Sequence, residues 1–332
     1  MKKPPVLLIK VSVMLAIVGF LAYQIYESFT SRDLPPHWWR DITFHWSFAG
    51  PAAACMAGVY LTSGLVWLFL ARGMGDRTRL TPALGAYTFS QMGKYIPGKV
   101  ALLLMRIERT TPLGMTPRVC TLSTLLENAL YIVSGGLAGM LAILAHAKDL
   151  AAEGPQYQWT LPLAALAVCL LLAACHPRVF YGLVNVMLRK MKREPVAPDQ
   201  QLRMTTLLVA VILFLPCWFF GGLSMWAAAR LVVPDLPLYV SLSLMGAFAL
   251  SVIIGMISFL PGGLGTRDAV LALFLGWELR PLVGDKSIAL AFIAVLAQRL
   301  AQIAAEIILG FTGGALTSLR APAPAPTSPK AD

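Results

Sequence analysis

Lys94-Tyr95-Ile96-Pro97-Gly98-Lys99 and Pro261-Gly262-Gly263-Leu264-Gly265-Thr266-Arg267-Asp268 each cut a long apolar stretch with proline, glycine and charge. Unwound backbone inside a bilayer survives only where protein or a watery cavity meets its freed N–H and C=O groups. A charged side chain at mid-depth costs about 2.5–3.5 kcal/mol on insertion scales. A chain that carries both devices twice has helices interrupted inside the membrane, and its function belongs at the interruptions.

The rest of the composition agrees. Of 332 residues, 58% are hydrophobic and 13% charged, and mean hydropathy is +0.71, whereas soluble domains are roughly 25% charged. The net charge of +11 sits in short loops between apolar segments, where it sets topology and attracts anionic headgroups. No basic-aromatic module of a nucleic-acid binder is present. Cys55, Cys120, Cys169, Cys175 and Cys217 lie in or beside apolar runs without Cys-x-x-Cys spacing and read as small hydrophobes. His37, His45, His146 and His176 are scattered and lack zinc spacing. Pro261–Gly265 lacks the Gly-Lys-Ser/Thr ending of a P-loop, and no hydrolytic Ser/His/Asp or Cys/His set is spaced credibly, so neither cofactor nor catalysis is expected.

Apolar runs near 20 residues, the length that crosses about 30 Å of hydrocarbon, fall at 6–26, 46–71, 118–145, 159–175, 205–231 and 287–312. Lys2 and Lys3 precede the first, which has no A-x-A-like cleavage site and reads as a retained helix. Two further regions, 82–105 and 238–279, are the broken ones. The loop from His176 to Met204 carries Arg178, Arg189, Lys190, Lys192, Arg193 and Arg203 against Glu194 and Asp199, and should be cytoplasmic. With a cytoplasmic N-terminus, that placement requires 82–105 to dip in and return. The same logic makes 238–279 enter and leave from the outside.

The expected fold is therefore an all-α polytopic membrane protein with about six full transmembrane helices and two broken, re-entrant segments in an inverted repeat, an architecture of transporters. Residues 238–260 are also long enough to cross alone, in which case the C-terminus lies outside. The chain divides into a first helix and outer loop (1–44), a first half (45–175), a basic cytoplasmic loop (176–204), a second half (205–316) and an Ala/Pro tail (317–332) expected to be disordered. Thr81-Pro82 and Thr116-Pro117 read as helix starts. Trp38 and Trp39 read as outer interfacial anchors. Pro177–Leu188 reads either as an interfacial amphipathic helix or as an extension of the preceding span. Gly135 with Gly139 and Gly310 with Gly314 match a helix-packing spacing.

Ser123, Thr124, Glu127, Asn128, Tyr131 and Ser134 recur at helical spacing on one face, as do Gln298, Arg299, Gln302 and Glu306. Polar stripes are penalised against lipid and should face protein or a cavity. One reading pairs Glu127, Arg299 and Glu306 with one another to fix packing. The other joins them to Lys94, Lys99, Arg106, Arg267 and Asp268 at the breaks, where unpaired helix N–H groups also favour phosphate.

The first pattern, Lys94 to Lys99 with Arg106, Gly114 and Glu127, and the second, Pro261 to Asp268 with Arg299, together resemble the lysylphosphatidylglycerol synthase transmembrane region, a flippase-like domain, over about 45–315. The family's second motif usually carries Glu where this chain has Asp268. Only a short tail follows Leu319, so the soluble aminoacyl-transferase domain of the lipid-modifying synthases is not expected. The resemblance implies lipid translocation or handling at a bacterial inner membrane, without aminoacylation. Lys94, Lys99, Arg106 and Arg267 would hold an anionic headgroup. Glu127, Asn128, Asp268, Gln298, Arg299 and Glu306 would form a switching polar interior. Pro97, Gly98, Pro261, Gly262, Gly263 and Gly265 would hold the helices open. The ligand would be a phospholipid or a polyprenyl-linked lipid. The alternative roles are an accessory subunit presenting a lipid intermediate to a glycosyltransferase or lipid-modifying enzyme, or an embedded transferase with Glu127 or Glu306 as base.

Overall fold

The computed structural model describes residues 26, 38–95, 101–152, 154, 159–174, 176–190, 194–198, 201–257 and 265–318. The expected first helix, except Tyr26, lies outside the described residues, as do Pro97, Gly98, Lys99, Pro261, Gly262, Gly263 and the tail from 319. Among the described residues the chain is helical and contains no strand.

We number the helices α1 Ala49–Gly73, α2 Leu80–Ser90, α3 Ala101–Thr110, α4 Pro117–Ala145, α5 Thr160–Ala174, α6 Pro177–Lys190, α7 Met204–Leu213, α8 Leu215–Arg230, α9 Val240–Ile257, α10 Thr266–Val283 and α11 Ser287–Ser318. Trp46–Gly73, Pro117–Ala145, Met204–Arg230 and the Thr266–Thr317 stretch are long and apolar enough to cross a membrane. The last reverses at Gly284, whose φ of +59° suits glycine. Helix α5 rises only about 22 Å, less than the full span expected over 159–175. Its Leu163, Leu166 and Leu170 are exposed, a face that fits lipid.

One end of the bundle is basic. A Cβ on Gly73 would touch Leu202, Leu202 N–H donates to Tyr181 Oη at 2.9 Å, and Arg118 Nη2 donates to the Pro195 carbonyl at 2.7 Å. The end of α1, Tyr181 on α6, Pro195 and the starts of α4 and α7 therefore gather together, bringing Arg72, Arg118 and Arg203 with them. Helix α6 is set off from α5 by the turn at His176-Pro177, with Tyr181 buried and Leu183 and Val186 exposed, as an amphipathic surface helix requires.

The broken regions fold back on themselves. Arg106 Nε on α3 donates to Ser90 Oγ on α2 at 3.1 Å, and a Cβ on Gly93 would meet Leu102 at 2.7 Å, so α2 and α3 run antiparallel from the basic end. Helix α2 also runs antiparallel along α11, with Gly85 against Gly313 and Thr317, and Met92 against Gly310. In the second region, His146 at the far end of α4 meets Ser243 near the start of α9 at 2.9 Å and Glu278 near the end of α10 at 3.1 Å. Phe248 and Arg267 face each other further in. The start of α9 and the end of α10 thus both lie at the far end, and the two helices run antiparallel. The C-terminal end of α11 consequently lies beside the start of α2, at the basic end.

Small residues allow these approaches. A Cβ on Gly246 of α9 would stand 2.6 Å from the Ala142 nitrogen and 2.7 Å from the Ala138 carbonyl of α4. Hydrocarbon offers helices no hydrophobic reason to associate, so close van der Waals packing must supply it. Gly135 faces Trp218 and Ile253, Gly139 faces Leu250, and Gly310 and Gly314 face Met92 and Phe89, so both G-x-x-x-G pairs lie at helix contacts.

Two local expectations change. Helix α2 begins at Leu80 with Arg79 as its extended N-cap, so Thr81 lies inside the helix. Pro82 at the third position is tolerated because that N–H has no intrahelical partner anyway. Thr116 does cap α4, accepting from Val119 N–H at 3.3 Å. Trp38 is 2% exposed and belongs to the core rather than an interfacial belt. The exposed aromatic pair near that end is Phe44 stacked on Trp46, with ring centroids 5.5 Å apart.

Candidate functional site

The folded-back regions bring their charge to a shared cavity of about 370 Å³ between α1, the two hairpins, α4 and α11. Four cations line it, Lys94, Arg106, Arg267 and Arg299, together with Glu127, Asn128, Gln302 and the hydroxyl-bearing Tyr60, Ser63, Tyr87 and Tyr131. Asn128 is exposed and marks the rim, while its Nδ2 donates to the Thr124 carbonyl one turn back at 2.7 Å. Apolar walls come from Val59, Leu102, Phe248, Val252 and Met256.

Helix α3 supplies Arg106, which is 1% exposed. Its Nη1 donates to Glu127 Oε2 at 2.6 Å and to Thr124 Oγ1 at 3.2 Å, its Nε to Ser90 Oγ, and its guanidinium carbon lies 4.2 Å from the Tyr87 ring centre and 5.1 Å from that of Trp67. Tyr87 Oη donates to the other Glu127 oxygen at 2.5 Å. A buried ion pair offsets its desolvation only with such geometry and such extra partners.

Lys94, near the tip of the first hairpin, donates to Glu306 Oε1 of α11 at 2.5 Å and to Tyr60 Oη at 3.1 Å. Tyr60 Oη in turn donates to Glu306, and Gln302 Nε2 donates to the same carboxylate at 2.8 Å. The opposite end of the Gln302 amide accepts from Arg267 Nη1 at 2.9 Å. One amide therefore joins the tip of the first hairpin to the root of α10. Beside it, Arg299 grips Asp268 with Nε on Oδ1 at 2.8 Å and Nη2 on Oδ2 at 3.1 Å. Asp268 Oδ2 also accepts from Gly265 N–H at 3.2 Å, so the third residue of α10 reaches back to its N-cap, where Gly265 has a φ of +90°.

Arg267 differs from these. It is 8% exposed and lies 4.9 Å from the Phe248 ring centre, and its Nε and Nη2 have no hydrogen-bond partner. Leaving a buried donor unmet costs roughly 1–3 kcal/mol, and more when it is charged. Such a group calls for an explanation in strain, in function or in an ordered water or ion.

Glu127, Arg299 and Glu306 thus do not pair with one another. Each pairs with a residue of a hairpin instead: Arg106, Asp268 and Lys94. Gln298 is 1% exposed and faces away from the cavity, with Nε2 3.1 Å from Met56 Sδ. Lys99 lies outside the described residues. Sequence reasoning missed Tyr60 and Tyr87, which hold two of the three carboxylates. Their signal was a phenol at mid-span, where tyrosine is uncommon compared with the interfacial belt.

Antiparallel helical hairpins, apolar outer faces and an interior charged cavity define a polytopic α-helical membrane protein. The chain belongs to the lysylphosphatidylglycerol synthase TM region family, whose model matches residues 7–310. That membership makes it a membrane protein of a lipid-metabolism family. No curated protein matches it in sequence.

Proposed function

We propose that the protein moves a polar-headed, anionic lipid between the leaflets of a bacterial inner membrane, as a carrier rather than an enzyme. The observation that carries this reading is the pair of folded-back hairpins, one from each end of the bundle, with charged roots or tips at one cavity. Read in a bilayer, the hairpins are re-entrant and the two halves form an inverted repeat: α1, the α2/α3 hairpin and α4 answer α7–α8, the α9/α10 hairpin and α11. The cross-packing supports it, since α2 lies on α11 and α9 lies on α4. Transporters of this construction alternate by rocking hairpins around a fixed site.

The basic end is the cytoplasmic one on the positive-inside rule. Both ends of α11 then have a side, and its C-terminal end is inside. A cavity of this size holds a headgroup and not two acyl chains, so the tails would stay in lipid while the headgroup crosses beside Asn128. The carboxylates are each held by a hairpin residue, so an opening hairpin must exchange partners at Glu306 or Asp268. The test is leaflet redistribution of headgroup-labelled lipids in proteoliposomes. Native protein should accelerate it over empty vesicles, and Lys94→Met and Glu306→Gln should slow it at matched reconstitution. No acceleration for anionic, zwitterionic or polyprenyl lipids would overturn translocation.

A further inference from the structure

We infer that the cavity opens sideways to lipid at Asn128, and that this side chain selects headgroups carrying hydrogen-bond donors, hydroxyl or ammonium, over headgroups of equal charge that carry none. The inference deepens the proposed function and rests on its reading of the cavity as a lipid-headgroup site.

The mouth follows from how α4 packs. From the far end inward, His146 meets Ser243, a Cβ on Gly246 would strike Ala142 and Ala138, Gly139 faces Leu250 and Gly135 faces Ile253. These contacts step along α4 and α9 about one turn at a time. Two turns beyond Gly135 on the same side of α4 stands Asn128, and there both helices line the cavity, α9 with Val252, Gly255 and Met256. Asn128 is exposed, and Leu125, one turn back on α4, is 39% exposed. The cavity lining therefore reaches the outer surface of the bundle at this residue.

Asn128 falls in the middle third of the 29-residue α4, a helix long and apolar enough to cross a membrane. A side-chain amide at that depth is penalised unless its groups find partners. Its Nδ2 donates to the Thr124 carbonyl at 2.7 Å. That carbonyl can only accept, so the amide nitrogen faces it and Oδ1 turns away. Among the described residues no group donates to Oδ1. Acyl chains and ionised phosphate oxygens have no donor to offer it, whereas a hydroxyl or an ammonium has. The amide is neutral, so it reads donors rather than charge, and its preference holds whatever the number of cations around the cavity.

The test is lipid retention by the purified full-length protein, read by native mass spectrometry from mixed micelles holding two charge-matched pairs in equal amounts. Phosphatidylglycerol is paired with phosphatidylpropanol, and phosphatidylethanolamine with phosphatidylcholine. The native chain should retain the donor-bearing member about fivefold over its partner, the ratio that one hydrogen bond of about 1 kcal/mol supplies. A preference confined to the anionic pair assigns the donor to hydroxyl, and one confined to the zwitterionic pair assigns it to ammonium. Asn128→Leu should bring the ratio close to one without lowering the thermal melt. Equal retention within both pairs by the native chain overturns the inference without recourse to any variant, and a ratio that survives Asn128→Leu removes the selection from this residue and overturns it as well. Selective retention without movement in vesicles would refute translocation alone, and movement of all four lipids without selective retention would refute the selectivity alone.

Discussion

Arg106 and Arg267 are both buried, both stacked on aromatic rings and both on the hairpins, yet they are opposites in chemistry. Arg106 meets a carboxylate, two hydroxyls and two ring faces, while Arg267 meets one amide oxygen and one ring, with two donors left over. Both are buried and both are cations, so neither property separates a strut from a binding site. Satisfaction of the hydrogen-bonding capacity does. The first hairpin carries a finished polar core at its α3 leg, and the second carries an unfinished one.

The comparison breaks most visibly at the finished pair. Glu127→Ala leaves the Arg106 guanidinium uncompensated at 1% exposure and should lower stability by about 3–5 kcal/mol. Thermal unfolding in detergent checks it, and an apolar replacement of both partners should recover much of the loss. Next in size, Gly246→Val drives a side chain into the Ala142 and Ala138 backbone and should cost about 1–3 kcal/mol, visible in the same melt. Arg267→Gln should do the opposite of Glu127→Ala: removing unmet charged donors should leave stability unchanged or raise it by about 1 kcal/mol, while lipid redistribution falls. A melt as damaged as that of Glu127→Ala would place the two arginines in one class. The smallest effect belongs to Thr116→Ala, which removes the cap of α4 and should cost about 1 kcal/mol without altering lipid movement.

Much of the architecture was legible because bilayers leave few options. Proline and glycine beside charge in an apolar run mark a break, and basic loops orient the spans. The antiparallel pairing of α9 and α10 agrees with a break within 238–279, although 238–260 is by itself long enough to cross. What sequence spacing could not supply was partnership. Glu127 and Glu306 each stand on a helical stripe, but which cation reaches each depends on how far a hairpin inserts, and that is set by the fit of Gly85 on Gly313 and Gly93 on Leu102. Tyr60 and Tyr87 escaped notice because an aromatic in a membrane helix is ordinarily packing or interface. Trp38 was misread for the converse reason, since an interfacial position in sequence did not reveal that its ring is 2% exposed.

Gln302 accepts from Arg267 with its oxygen and donates to Glu306 with its nitrogen. An amide has no second oxygen and no second nitrogen, so it cannot follow a displaced partner by rotating without dropping the other. The two hairpins are accordingly geared through a part with a front and a back. A shift of either one strands a hydrogen bond on the far side, and the molecule has reason to move both or neither.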